Sequence, residues 1–479
     1  MRRFVALLAL SSVVPALAQE APQPKSVILL IGDGMGASQV TLGRLAAKQL
    51  GQPYHFDRFA VTGLSATRSA NSVVTDSAAG ATALSTGVRT NNWTVGMDAE
   101  GAPRETLLEV AHRQGYRTGV VTNTRVTHAT PAAFVAHAPH RNQEGKISTQ
   151  EVNGMVRAGF PQVLIGGGLK HFNDKERAAL SEAGYAVVTD PAQLEAAEGP
   201  KLAAFLGKSH LPYRIDRPEG TPPLARLTQK AVETLAAGGE PFALVVEGGR
   251  IDHAGHAHDA ASMVHEQLDF DAAVGWVLDY ATAHPEVLVV VTADHATGAM
   301  GISETTDLEG LLSVKASSDA LLAGTKPLSA ALKRALPQLD RSDAAGRASL
   351  FRELHEAGLL VELERNLVSS CGVTLSDDEV LEVFGDSSPY WQGMALGHVL
   401  SHRRGIYFYD PHEQETRLTG THGHDGGAVP VFAHGPGAQA FGGLYDNREI
   451  PLKICALLGL PAPGATLEVG VLPAAGQKK

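Results

Sequence analysis

Six short apolar runs, most of them ending in glycine, an acid or histidine, decide what this chain can fold into. They are SVILLI (26–31), RTGVVT (117–122), QVLIGG (162–167), FALVVEGG (242–249), VLVVVTADH (287–295) and VPVFAHG (429–435). A strand with one wet face alternates apolar and polar residues. A continuous apolar run fits a strand covered on both faces, as in a parallel sheet. Helical patterns lie between the runs at 37–50, 104–114, 225–237, 259–283 and 447–458. This alternation predicts an α/β fold with a doubly wound, mostly parallel central sheet flanked by helices. Ligands in such folds sit at the carboxyl ends of the strands.

The region 303–395 breaks the pattern. It is rich in Ala, Leu, Glu, Lys and Ser and reads as a mainly helical insertion, dividing the core into 19–302 and 396–470. The stretch GIYFYDPHEQETRLTG (405–420) reads as a hairpin turning near Asp410 and Pro411, and the tail 471–479 as disordered. At the other end, Arg2 and Arg3 precede an apolar stretch, Phe4 to Val14, and an Ala16-Leu17-Ala18 cleavage site. That is the form of an export signal over 1–18, too short to span a bilayer, and it implies a periplasmic or secreted protein free of the membrane after cleavage. The 40 Lys and Arg fall to 38 once the leader is removed, against 51 Asp and Glu, a net charge of −13. Such a surface argues against nucleic acid as a specific partner. Cys371 and Cys455 show no metal-ligand spacing; a bridge and two free buried thiols both fit an exported chain.

Four acidic or histidine-bearing clusters fall at the ends of predicted strands. In ILLIGDGMG, Asp33 follows a strand directly; the third glycine of a dinucleotide fingerprint is missing, with Gln39 in its place. In VVEGGRIDHAGHAHD, Glu247 precedes Asp252, His253, His256, His258 and Asp259. Asp252 and His256, four apart, share one face of a helix, a common geometry for two metal ligands. Asp294 and His295 close a third strand, and His422 and His424 precede a fourth. These groups suit more than one hard or borderline cation. In SVVTDSAAGATALSTG (72–87), Asp76 and Ser77 stand before a run of small residues. The pair fits a helix N-cap, and it equally fits a serine nucleophile at the positive end of a helix. In THATPAAFVAHAPHR, Arg141 offers a planar guanidinium that matches two phosphate oxygens, alongside His128 and Thr130.

The motifs GDGMG, VTDSAAGATA, THATPAAFVAH, EGGRIDHAGH, VTADH and HGPGA stand in the order of alkaline phosphatases. The chain resembles that family over nearly its whole mature length apart from 303–395. EGGRIDHAGH and STGVRTNNWTVG are more similar to the vertebrate-type branch than to the enterobacterial enzyme. The resemblance implies a phosphomonoesterase with two Zn²⁺ and one Mg²⁺ per chain, commonly a homodimer, acting on small-molecule phosphate monoesters. By it, Ser77 is the nucleophile, Arg141 binds the phosphate and Asp76 orients Arg141. Asp252, His256 and His424 hold the first zinc. Asp33, Asp294 and His295 hold the second, and Asp33, Thr130 and Glu247 the magnesium. His128, where the enterobacterial pattern has Asp, is implied to reach a water of that ion.

Two rivals remain at this stage. A phosphodiesterase or sulfatase of the same superfamily shares the metals, but diesterases commonly use Thr as nucleophile and lack an Arg141 equivalent. Sulfatases need C/S-x-P-x-R, which DSAAG does not supply. A non-catalytic periplasmic metal- or phosphate-binding protein has no need of a serine beside the metals. No G-x-S-x-G marks a serine hydrolase.

Overall fold

The computed structural model describes residues 23–386, 388–409 and 423–467. The leader, the 471–479 tail, His422 and the turn near Asp410 and Pro411 lie outside the described residues. The described strands are β1 (Ser26–Ile31), β2 (Val61–Ala66), β3 (Arg117–Arg125), β4 (Val163–Gly167), β5 (Ala186–Val188), β6 (Leu202–Phe205), β7 (Phe242–Glu247), β8 (Val287–Thr292), β9 (Ala296–Thr297), β10 (Gly301–Ile302), β11 (Ile406–Tyr407), β12 (His424–Asp425), β13 (Val429–His434) and β14 (Gly443–Asp446). Ten of them form one sheet in the order β14-β2-β13-β8-β1-β7-β3-β4-β6-β5. Only β13 runs against its neighbours, β2 and β8. The doubly wound, mostly parallel sheet expected from the apolar runs is therefore present.

β1 shows why those runs are continuous. All six of its residues are buried. Ile28 and Leu30 face one helical layer, made by α1 (Ala37–Gln49), α7 (Leu224–Ala236) and α9 (Ala260–Ala283). Val27, Leu29 and Ile31 face the other, with α3 (Leu107–Arg113) and α17 (Glu449–Leu458). Each such side chain contributes about 1.5–3 kcal/mol relative to exposure, and both faces need apolar residues to collect it. Between α1 and α3 lies α2 (Ser77–Thr86); α4 (Ala129–Ala132), α5 (Glu144–Ala158) and α6 (Asp174–Glu182) follow β3 and β4, and α8 (Arg250–His256) follows β7.

Local chemistry sets the helix ends. The pattern at 104–114 becomes a helix only from Leu107, because Thr106 and Glu109 form a reciprocal capping box. Asp259 caps α9 through the Ser262 amide, and His258, at φ +50°, breaks the chain between α8 and α9.

The segment after β10 is helical: α10 (Leu308–Leu312), α11 (Ser318–Leu321), α12 (Lys326–Ala335), α13 (Ala344–Glu356), α14 (Val361–Cys371), α15 (Asp377–Val383) and α16 (Pro389–His402). Helix continues past residue 395, to His402. Leu328, Phe351 and Leu363 join the apolar cluster that covers α9. The turn and return strand of the hairpin expected at 405–420 lie outside the described residues; its described start, Ile406–Tyr407, pairs antiparallel with β10 across the insertion. Cys371 and Cys455 are both buried and free, so the bridge is not formed.

Helix α16 seats the insertion on the α8–α9 junction. Ser401 Oγ accepts the Ala260 amide at 2.9 Å and donates to the His258 carbonyl at 2.8 Å. A Cβ at Gly397 would stand 2.2 Å from the Ala257 carbonyl oxygen. Backbone cannot yield there cheaply, so Gly397→Ala is expected to cost about 1–3 kcal/mol. Hydrogen exchange should then rise across 308–402 while β1, β7 and β8 stay protected. An unchanged exchange map would show that α16 is not seated by this contact.

Candidate active site and metal centre

The central strands bring the acids together. Ile31 of β1 stands opposite Glu247 of β7 and Thr292 of β8. Asp33 and Asp294 come two residues past the ends of β1 and β8, so three carboxylates meet at the carboxyl ends of neighbouring strands. Gly34, at φ +74°, turns the chain there; a Cβ would lie 2.8 Å from both the Asp252 Cα and Thr297 Oγ1. The short ladder of β12 with β9 pairs His424 with Thr297 and carries His424 to the same place.

Three groups of potential ligands result: Asp252, His256 and His424; Asp33, Asp294 and His295; and Asp33, Glu247 and His128. Within each, the ligand atoms lie within 4.8 Å of one another. In the first, His256 Nε2 and His424 Nε2 stand 3.4 and 3.5 Å from Asp252 Oδ1 and 3.0 Å from each other. In the second, His295 Nε2 is 3.4 Å from Asp33 Oδ1 and 3.5 Å from Asp294 Oδ2. Thr130 Oγ1 lies 3.4 Å from an oxygen of both Asp33 and Asp294. A ring nitrogen of His128 lies within 4.8 Å of the carboxylate oxygens that Asp33 and Glu247 offer in the third group.

The electrostatics fit cations. Burial, then Asp294, Asp252 and Glu247, pushes the Asp33 carboxyl well above the usual range. Burial raises Glu247 and Asp294 to about 7 each. Burial also opposes the charge on Asp252, but His256 and His424 outweigh it and hold that carboxyl well below its ordinary value. His295 and His128 are pushed well below theirs, chiefly by burial, and so present neutral imidazoles. Asp33 Oδ1 and Glu247 Oε1 are buried with no hydrogen-bond partner among the described residues. Buried carboxylates so arranged are costly without a positive partner. Oxygen donors and neutral imidazoles are what divalent cations take.

Facing these groups is a cavity of about 250 Å³ lined by Ser77, Arg141, Trp93, Arg125 and Glu144, among others. Ser77 opens α2, all ten residues of which are buried, and its Oγ is 3.1 Å from His295 Nε2. Asp76 caps the helix through the Ala79 amide at 3.0 Å and accepts from Arg141 Nη1 at 3.1 Å. Arg141 Nη2 lies 3.1 Å from His128 Nε2. Opposite, Glu144 accepts from Arg125 Nε at 2.7 Å and from Thr127 Oγ1 at 2.6 Å.

Every site residue expected from the sequence therefore converges here. Of the histidine-rich cluster, His258 and Asp259 do not: His258 stacks on Phe408, and Asp259 caps α9. The sequence reading missed several others. Thr297 Oγ1 donates to Asp252 Oδ1 at 2.6 Å and lies 3.1 Å from His295 Nδ1, bridging two groups. His253 was visible in its cluster but had no assigned place; its ring packs edge-on against His128 and His210, 5.3 and 4.4 Å between centroids. Trp93 and the Arg125–Glu144 pair carried no spacing signal.

A sequence model of the alkaline phosphatase family matches residues 24–326. Alkaline phosphatase 3 of Bacillus subtilis is 32% identical over 464 residues, 93% of each chain. The alkaline phosphatase of Escherichia coli K12 is 33% identical over 344 residues, 60% of this chain and 73% of that one. Among solved structures, a cold-active alkaline phosphatase from a psychrophilic Shewanella superposes with a TM-score of 0.74 at 28% identity, covering 90% of this chain and 99% of that one. The Thermus thermophilus enzyme gives 0.76 at 26%, covering 95% and 97%.

Because Thr297 orients ligands in two groups, Thr297→Val is expected to weaken divalent-metal binding about 10- to 100-fold. Competition with a chromophoric chelator measures this; an unchanged affinity would show the bridge to be idle. Fold, site and near full-length similarity agree: the chain belongs to the alkaline phosphatase family.

Proposed function

We propose that the chain is an exported enzyme that hydrolyses small phosphate monoesters through a phosphorylated Ser77. One observation carries the reading: a serine hydroxyl at a helix N-terminus shares one cavity with an aspartate-held arginine and the Asp252, His256 and His424 group, and lies 3.1 Å from His295 of the second group. A helix N-terminus presents amide hydrogens to an anion. The Arg141 guanidinium, held by Asp76 at Nη1 and flanked by His128 at Nη2, can take two phosphate oxygens at once. The ester phosphorus then lies before Ser77 Oγ. Attack by that oxygen forms phosphoserine and releases the alcohol; water cleaves the phosphoserine and releases inorganic phosphate.

Asp252, His256 and His424 would hold one Zn²⁺. Asp33, Asp294 and His295 would hold a second, and Asp33, Thr130 and Glu247 a Mg²⁺. The mutual distances of 3.0–3.5 Å in the first group suit neighbouring ligands of a tetrahedral ion, about 3.4 Å apart. When bound, these ions would supply positive charge for the attacking and leaving oxygens. Export rests on the basic, apolar and Ala16-Leu17-Ala18 parts of the leader. No helix of the described residues is long and apolar enough to cross a membrane. The homodimer, and the division into a core of 19–302 and 396–470 with an insertion at 303–395, rest on the family resemblance and the element order.

The experiment is acid quenching in the presence of inorganic phosphate, followed by peptide mapping. Phosphate is expected on Ser77, and Ser77→Ala should lose activity by more than about 100-fold. Phosphate on another residue, or full activity in Ser77→Ala, would overturn the reading. Activity on p-nitrophenyl phosphate should vanish with EDTA and exceed that on the bis-ester.

The third ion gives a separate test. A neutral His128 removes one negative charge from a site that an aspartate would supply, which weakens Mg²⁺. Variants of the TAB5 alkaline phosphatase in which a histidine is replaced by Glu or Asp hold magnesium in the site called M3 there, a precedent for the exchange. The enzyme as isolated should be activated by added Mg²⁺, and His128→Asp should lower the activation midpoint. Identical midpoints in the two proteins would remove His128 from this role.

A further inference from the structure

Trp93 stands where the backbone least favours it. Its φ is +75°, a region that glycine enters freely and a bulky side chain enters at a cost. Strain of this kind persists where the surroundings over-determine it, often at a ligand site. The surroundings here are specific. The Trp93 amide donates to Asp76 Oδ2 at 3.1 Å, and its carbonyl accepts the Arg141 amide at 2.7 Å. Glycine would make both bonds without strain, so the backbone contacts do not account for an indole at this position.

The ring itself is set firmly. It stacks on His140, with centroids 5.1 Å apart and planes inclined by 15°. His140 is fixed in turn, since its Nδ1 accepts the Asn142 amide at 3.2 Å. Trp93 and Asn142 line the cavity that holds Ser77 and Arg141. Trp93, half-buried and backed by the stacked His140 ring, thus forms part of one wall of the cavity that holds Arg141 and Ser77.

We propose that the Trp93–His140 stack is a leaving-group platform that favours aryl phosphate monoesters, in which a planar ring is joined to phosphorus through the ester oxygen alone. The proposal rests on the reading of Arg141 and Ser77 as the phosphate site. A ring packed against an already ordered indole gains offset or edge contact and orders nothing further. An alkyl leaving group gains only apolar contact.

The test uses the metal-loaded full chain and two inhibitors that cannot be hydrolysed, phenylphosphonate and methylphosphonate, with inorganic phosphate as reference. The reading is the ratio of the phenylphosphonate to the methylphosphonate inhibition constant, which cancels any shift of Arg141 felt by both. In Trp93→Gly and Trp93→Ala this ratio should rise about 3- to 10-fold, and Trp93→Phe should restore most of the preference. The quenching of indole fluorescence by phenylphosphonate should disappear in Trp93→Phe while the other tryptophans remain. A ratio within twofold of the wild type in both truncations overturns the platform, whatever happens to phosphate binding. Arg141→Ala is the control on the underlying reading: it should weaken inorganic phosphate and both phosphonates alike. If inorganic phosphate is unaffected there, the phosphate-site reading fails, independently of the Trp93 ratio.

Discussion

The crowding of carboxylates at the ends of three neighbouring strands is the constraint on which the rest of this molecule depends. Parallel pairing of β8, β1 and β7 aligns their carboxyl ends, so Asp294, Asp33 and Glu247 meet there fully buried. Asp252 joins from α8. Burial and mutual repulsion drive three of the four carboxyls upward, and only Asp252, flanked by His256 and His424, falls. A sheet held by about 25 cal/mol per Å² of apolar burial can tolerate such a cluster, but the cluster gives nothing back without positive charge. Divalent cations are the partners that such a cluster fits, which makes fold and metal binding one problem. His295 and His424, stacked with ring centroids 3.8 Å apart, belong to different groups, so strain at one centre reaches the other directly.

The sequence made the strand ends legible because they obey a period of their own. Continuous apolar runs that stop at Asp33, Glu247 and Asp294 mark both the buried sheet and its chemical edge. Asp252 and His256 were readable as one face of a helix, and His424 only through the family resemblance. The flanking strands were harder. β2 has a mixed pattern of buried and exposed residues, and β5 and β6 are short, so neither stands out as an apolar run. Their place is decided by neighbours in the sheet and not by local pattern.

Residues that act by position were invisible for a related reason. Thr297 is an ordinary threonine until β9 pairs with β12 and turns its hydroxyl toward Asp252. Trp93 carries no marker of a left-handed backbone, because that conformation is imposed by Asp76 and Arg141 from far along the chain. The pairing of Ile406–Tyr407 with β10 was invisible in the same way, since only the intervening helices bring the two segments close.

The two readings open for Asp76 and Ser77, a helix cap and a catalytic pair, turn out not to compete. Asp76 has two carboxylate oxygens and uses them differently. Oδ1 accepts the Ala79 amide and closes the first turn of α2. Oδ2 accepts from Arg141 and from the Trp93 amide, fixing the guanidinium against the same turn. The cap therefore sets the distance between the start of the helix, where Ser77 sits, and the cation that faces it. A Ser or Asn cap could close the turn, since capping needs only one oxygen. It could not also hold an arginine by a charged bond. The small residues of α2 follow from the same requirement: with all ten buried, the helix can approach the strand ends closely enough to bring Ser77 Oγ to 3.1 Å from His295. Packing, capping and the placing of Ser77 are thus one arrangement, in which a change to Asp76 disturbs all three together.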